Sequence, residues 1–275
     1  MNNASFSVSI VLYQHEPSDL NDLILNLENS PDIKIVYLVD NGGCAWAKDI
    51  PYKKFQYLKS PKNGGFGYGH NLAINLLSDD LDFHIVCNPD IKFDIKSISD
   101  LGLAIKDRPE DLFMPNVIYE NGRRQELCKL LPSPLNLFAR RFLPGLAKKL
   151  DNNYLLRDAD FCKPFFAPSL SGCFMVCRTH ALKSLGGFDE RYFMYLEDVD
   201  LSRRLAALGG ALYVPSVNII HIFQKGSYKN RKLFIYHMVS AIKYFNKWGW
   251  IWDEERRAMN KVCLKNLPKN ILTND

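Results

Sequence analysis

The chain has 275 residues, 47% of them hydrophobic and 24% charged, a composition that supports one large core or two modest ones and excludes global disorder. Its 35 basic and 30 acidic side chains leave a formal net charge of +5, too mild to argue for nucleic acid but suited to anionic substrates or an anionic membrane surface. Seven scattered cysteines, the closest being Cys173 and Cys177, lack the second pair that a zinc site needs and read as reduced thiols of a cytoplasmic protein; no signal peptide or membrane-spanning run is expected.

Residues 6–13 are a short β-rich apolar run, read as a strand, and after a polar turn at 14–18 Leu20, Leu23, Ile24 and Leu27 fall at helical spacing. Residues 33–39 form a second strand ending at Asp40-Asn41-Gly42-Gly43, and residues 55–58 a weaker third. A glycine-rich stretch at 63–69 leads into a helical pattern at 71–77 and the strand 83–87, which ends at Asn88-Pro89-Asp90. This alternation predicts a Rossmann-like, doubly wound, mostly parallel sheet that holds ligands beyond the carboxyl ends of its strands, where Asp40, Asn41 and Asn88 to Asp90 stand. Further on, residues 98–106 read as a helix, 112–119 as a strand and 123–163 as irregular. A second organised block has a strand at 174–177, a short helix at 178–185, a helix at 197–208 and a strand at 211–214. A long helix at 228–248 and a shorter one after Asp253 close the chain.

Asp90 is a hard oxygen donor at the ligand-binding end of a sheet, suited to magnesium or manganese bridging two phosphates, although an Asn-Pro-Asp turn places an aspartate there too. A second acidic cluster, Glu197, Asp198 and Asp200, opens the helix that continues through Arg203 and Arg204. Such acids also complement a helix dipole, and here they follow an unusual aromatic run, Tyr192-Phe193-Met194-Tyr195.

Taken in order, 7–13, Val39-Asp40-Asn41, the run from Asn63 to Asn71, Asn88-Pro89-Asp90, Ser171-Gly172-Cys173-Phe174-Met175, Gly186-Gly187-Phe188-Asp189-Glu190, 193–200, and His221 with Gly226-Ser227 resemble the inverting family 2 glycosyltransferases of the GT-A type, in their rhamnosyltransferase-like branch. The match covers residues 6–245 except for 120–165. The resemblance implies a GT-A fold with C-terminal helices and an enzyme of bacterial surface polysaccharide or lipopolysaccharide biosynthesis. It implies that Asp198 is the catalytic base and that Glu197 orients the acceptor. Tyr13, Asp40, Asn63, Gly64, Gly65, Asn71 and Asn88 would bind the donor nucleotide, and Asp90 with His221 would hold Mg2+ or Mn2+. Other members carry Asp-x-Asp where this chain has Asn88, which leaves Asp90 as the sole carboxylate of that motif. Asp200 either is structural or pairs with Arg203 or Arg204, and Arg203 could instead reach phosphate.

The expected organisation is a catalytic domain over 1–225, with a nucleotide-binding half at 1–95, an acceptor half at 165–225 and a variable insertion at 120–165, followed by a helical extension at 226–275. The expected donor is dTDP-rhamnose, with a UDP-sugar such as UDP-galactofuranose as the alternative, and the acceptor is lipid-linked or an oligosaccharide. A non-catalytic carbohydrate-binding module is the competing class. A nucleotidyltransferase would open with a glycine-rich basic loop that 9–16 lacks, and no element concentrates cations among stacking aromatics for nucleic acid. Residues 129–150, basic and apolar, and Trp248, Trp250 and Trp252 read either as packing elements or as peripheral contacts with the inner face of the cytoplasmic membrane.

Overall fold

The computed structural model describes residues 3–137, 151–222 and 231–269. The strands are β1 Phe6–Leu12, β2 Ile33–Asp40, β3 Phe55–Lys59, β4 Phe83–Cys87, β5 Ile91–Lys92, β6 Leu112–Ile118, β7 Cys128–Lys129, β8 Phe165–Phe166, β9 Ser169–Leu170, β10 Phe174–Arg178 and β11 Ala211–His221. The helices that matter here are α1 Asn21–Asn29, α2 Phe66–Ile74, α3 Ile95–Ile105, α4 Thr179–Ser184, α5 Glu197–Leu208, α6 Arg231–Trp248 and α7 Glu254–Asn266.

One sheet runs in the order β3-β2-β1-β4-β10-β6-β11-β5, with β8 beside β11. The first four strands are parallel, as the alternation of strand and helix requires. β10 then enters antiparallel between β4 and β6, while β6 and β11 pair in parallel. Because Leu12 pairs with Asp40 and Ile10 with Cys87, the carboxyl ends of β1, β2 and β4 lie side by side.

β1 and β4 are buried along almost their whole lengths, so their residues are apolar on both faces, as a strand covered by helices must be. Ser7 and Ser9 interrupt that pattern and are satisfied internally. Ser7 Oγ meets His84 Nδ1 at 2.8 Å, and Ser9 Oγ meets His84 Nε2 at 2.8 Å and His70 Nδ1 at 2.7 Å. Burial pushes His84 down to about 3 and His70 well below the usual histidine range, so both rings are neutral.

Two elements depart from the sequence expectation for local reasons. The helix expected at 71–77 begins at Phe66, because Gly65, at φ 95°, turns the chain into it and the glycines behind permit close packing. The strand expected at 211–214 continues to His221. Its pairing with β6 shifts between Val214 and Asn218, where Pro215 cannot donate to the ladder, and then resumes. Residues 138–150 of the expected basic, apolar segment, and 223–230 at the start of the expected last long helix, lie outside the described residues.

Candidate active site

Asp90 follows β4, and His221 closes β11, which pairs with β5 immediately after Asp90. Their side chains meet, His221 Nε2 lying 3.3 Å from Asp90 Oδ1. That separation is not a well-formed hydrogen bond, and the buried Oδ1 has no hydrogen-bond partner. Gln125 fixes the histidine from behind: its Oε1 lies 2.9 Å from Nδ1, while its Nε2 donates to the His221 carbonyl at 2.8 Å. With the Nδ1 proton given to Gln125, Nε2 is the nitrogen that faces Asp90, and its lone pair becomes available once the ring gives up its second proton. Burial alone would lower the His221 pKa, but Asp90 and Cys173 beside it outweigh that and bring it to about 10 when no cation is present.

Asp198 stands in the first turn of α5, and both of its oxygens are held by backbone. Oδ2 accepts from Gly172 N at 2.9 Å and Oδ1 from Val199 N at 2.8 Å. Glu197 beside it is buried, with Oε2 unpartnered, and burial followed by the nearby Asp198 charge raises its pKa well above the carboxylate range. The pair therefore divides into a half-exposed carboxylate and a buried neutral acid.

The two acidic sites are joined through two consecutive residues. Gly172 N holds Asp198, and the carbonyl of Cys173 accepts from Asn88 N at 2.9 Å. Asn88 lies two positions before Asp90, so residues separated by more than a hundred positions converge on one strand entry, the segment leading into β10. Consecutive Cα atoms lie only about 3.8 Å apart across a trans peptide, so this link admits little slack.

The turn before α5 is forced into place. Tyr195 and Leu196 take φ of 70° and 64°, a left-handed conformation that a residue with a Cβ adopts only under constraint. The constraints come from α2 and α6. Phe66 N donates to Phe193 O at 3.0 Å, Ser240 Oγ donates to Met194 O at 2.8 Å, and Leu196 is buried with Tyr192, Ala241, Tyr244 and Phe245. His237 of α6 meets the Tyr195 ring at 5.3 Å; burial first and then Lys129 lower its pKa, against the pull of Asp198.

At the carboxyl ends of β1 and β2, Tyr13 is exposed with its ring against Gly42, and Asp40 ends β2. Asp40 Oδ1 accepts from Gly42 N at 2.8 Å and Cys44 N at 3.0 Å, and Oδ2 accepts from Tyr57 Oη at 3.0 Å. Asn41 Nδ2 donates to Gly65 O at 2.8 Å, whereas its buried Oδ1 has no partner. Asn63 Oδ1 accepts from Gly65 N at 3.2 Å. Asn88 is half-buried at the rim.

Three residues expected to contact the donor are packed against protein atoms. A Cβ on Gly65 would lie 1.9 Å from Phe193 O, and one on Gly64 would lie 2.3 Å from the Tyr68 ring, so these glycines admit protein atoms. Asn71 is buried and exchanges two hydrogen bonds with the Phe188 backbone, Nδ2 to O at 2.9 Å and N to Oδ1 at 2.8 Å. Asp200 and Arg203 are also resolved. Asp200 accepts from Arg204 Nε at 2.9 Å and Trp248 Nε1 at 2.8 Å, while Arg203 forks onto Asp253 at 2.6 and 2.7 Å and reaches Glu255 at 2.7 Å. Arg203 therefore ties α5 to α7 and does not face phosphate. Gln125 carried no signal in the sequence, because it sits in a stretch without periodicity, whereas Asn41 and Cys173 belonged to recognised motifs.

Among the described residues no group of three or more His, Cys, Asp or Glu side chains is arranged to hold a metal ion. The donor set still fits a hard cation carried on a diphosphate, because the unpartnered Asp90 Oδ1 and the oriented His221 would supply two ligands to a shell completed by phosphate oxygens and water.

This sheet order, with an acid-bearing strand end and a carboxylate pair at the start of α5, defines a protein of the GT-A glycosyltransferase type. No family model matches the chain. It is 31% identical over 202 residues to the N-acetylglucosaminyl-diphospho-decaprenol L-rhamnosyltransferase of Mycobacterium tuberculosis (strain ATCC 25618 / H37Rv), a stretch covering 68% of this chain and 66% of that protein. The chain thus spans just under two thirds of the length of that relative. It is 28% identical over 258 residues to Rhamnosyltransferase WbbL of Escherichia coli (strain K12), covering 86% of this chain and 92% of that protein. In fold it is similar to GalNAc-T7, solved with UDP, GalNAc and Mn2+, with a TM-score of 0.62 at 13% identity over 90% of this chain and 50% of that one. The chain belongs to the family 2 glycosyltransferases of the GT-A type, in their rhamnosyltransferase-like branch.

Proposed function

We propose that this protein transfers rhamnose from dTDP-rhamnose, with inversion, to a lipid-linked or oligosaccharide acceptor of bacterial surface polysaccharide or lipopolysaccharide synthesis, at the cytoplasmic face of the membrane. The observation that carries the reading is the placement of Asp198. Its carboxylate is fixed by two backbone N–H groups, and one of them, that of Gly172, lies next to the residue that braces Asn88 and, through it, the Asp90–His221 pair.

In the proposed reaction Asp198 removes the proton of the acceptor hydroxyl as that oxygen attacks the anomeric carbon. The bond from the anomeric carbon to the diphosphate oxygen breaks, and the nucleoside diphosphate leaves with those electrons. Glu197, held neutral by burial, leaves Asp198 as the proton acceptor and can donate a hydrogen bond to the acceptor. Asp90 and His221, with Gln125 behind, would hold Mg2+ or Mn2+; the ion would offset the charge developing on the departing diphosphate. Tyr13, Asp40, Asn41 and Asn88 border the nucleotide side. The mycobacterial relative is named for an N-acetylglucosaminyl-diphospho-lipid acceptor, which supports an acceptor of that kind here. We further read 1–95 as the nucleotide half and 165–225 as the acceptor half of one catalytic domain, and 226–275 as an extension that braces the latter.

The test is a donor screen read by mass, offering dTDP-rhamnose, UDP-galactofuranose and other UDP-hexoses with an N-acetylglucosaminyl-diphospho-lipid acceptor. A product heavier by one deoxyhexose from dTDP-rhamnose alone is expected. Transfer only from a UDP-sugar would replace the rhamnose assignment. Turnover retained in Asp198→Asn, at more than about a hundredth of the native rate, would remove the base.

A further inference from the structure

One face of α6 is spoken for and the opposite face is not. Inward, Ser240, Ala241, Tyr244 and Phe245 are buried against the turn that precedes α5. Outward, Ile235, Val239 and Ile242 are 57%, 42% and 44% exposed. Their spacing of four and then three residues aligns them in a single row. Asn246 continues that row, and its Oδ1 accepts from the indole of the exposed Trp250 at 2.8 Å, so the row extends past the end of the helix. An amphipathic helix packed on a domain ordinarily turns polar groups to water, and an ordered apolar row there calls for a partner.

The charges around the row say which partner. The sequence of α6 contains Arg231, Lys232, Lys243 and Lys247 and no acidic residue. Lys247 is committed to Asp189 and Asp200 on the inward side. At about 100° per residue, Arg231 lies on one flank of the row and Lys232 and Lys243 on the other. A second copy of the chain pairing through this face would bring like charges together across a two-fold axis. Glu254 and Glu255 follow in α7, and Glu255 is engaged by Arg203. Cations bordering an apolar row, with a tryptophan at one end, match a bilayer interface, where aliphatic side chains enter the acyl boundary and lysine and arginine stay at the headgroups.

We propose that the outward face of α6 docks this protein on an anionic lipid surface. The inward face of the same helix carries His237 against Tyr195 beside the base, so docking would set the acceptor side of the site at a fixed height above the membrane. The inference deepens the lipid-linked acceptor reading and rests on it only for its purpose, because docking is read without turnover.

The experiment is flotation of the full-length protein with vesicles of phosphatidylcholine alone and of phosphatidylcholine with phosphatidylglycerol. The native protein, Val239→Glu/Ile242→Glu and the control Leu103→Glu, which alters an exposed leucine on α3, are compared. Native protein and control should float with the anionic vesicles only, and the double variant should lose at least about tenfold in partitioning, because two aliphatic side chains no longer enter the interface. Its melting temperature and its turnover on a water-soluble acceptor should be unchanged. Absence of native binding, equal binding to neutral vesicles, or full binding by the double variant would overturn the proposal. So would a native dimer, seen by sedimentation, that the double variant converts to monomer, since the face would then belong to a second copy.

Discussion

Asp198 is held by Gly172: Oδ2 of the aspartate accepts the glycine N–H at 2.9 Å, and the glycine has no side chain to keep it away. A Cβ at residue 172 would lie 2.9 Å from Asp198 Cβ and 3.3 Å from the Phe66 ring. Gly172→Ala should therefore push Asp198, the proposed base, off its position. The expected outcome is a fall in kcat of about a hundredfold, the scale of an ångström-sized misplacement, with nucleotide affinity unchanged. Native kcat in this variant would show that the backbone contact does not set the base.

In the proposed function Gln125 acts on the cation site through His221. Replacing it by leucine removes the acceptor that fixes the Nδ1 proton and the donor to the His221 carbonyl. Loss of such a support costs about 10–100-fold in metal affinity, so Gln125→Leu should weaken manganese binding to that extent in a titration with nucleotide present. Unaltered affinity would mean that His221 is not a ligand or is held by something else.

Arg203 is 1% exposed and forked onto an equally buried Asp253, with the guanidinium 4.0 Å from the centre of the Trp248 ring. Removing one member leaves the other buried and uncompensated, at a cost of about 3–5 kcal/mol. Arg203→Ala should lower Tm by roughly 10 °C, at a few degrees per kcal/mol for a chain of this size. Arg203→Lys should recover only part of this, since an ammonium cannot span both oxygens. A melting temperature unchanged in Arg203→Ala would show that α7 is not tied to α5 in this way.

The neutral histidines under β1 give the stability an acid limb. Folded His84 resists protonation until about pH 3, whereas the unfolded chain takes up that proton near pH 6.5, the ordinary value for histidine. Between these values the unfolded state binds more protons, so stability is full above about pH 6.5 and declines as pH falls, by at most ~1.4 kcal/mol per pH unit for each such group. His70 contributes in the same direction. Urea midpoints measured across this range should fall towards acid, and His84→Gln should flatten the decline. The same decline in the variant would place its origin elsewhere.

The first half of the sheet was legible because β1, β2 and β4 announce themselves as short apolar runs ending in polar turns, and parallel pairing follows from helices between them. The antiparallel insertion of β10 was not, because residues 174–177 look the same whichever way they run and only their partners fix direction. The candidate site divided likewise. Asp90, Asp198 and His221 were marked by their motifs, but Gly65 and Asn71 stood in an equally clear motif and serve the packing of α2 against 187–193.

The sequence by itself determined the order of strand-end motifs, the placing of acids at the start of α5 and the family to which the chain belongs, since each is written in neighbouring residues. Only the tertiary structure decided that Asp198 meets backbone N–H groups while Asp200 is consumed by Arg204 and Trp248, and that Glu197 is buried and neutral. The reason is physical: a carboxylate's behaviour depends on its desolvation and on the donors around it, and here Val199 and Arg204 are near in the sequence, but Gly172 and Trp248 come from 26 and 48 positions away, beyond the reach of any local pattern.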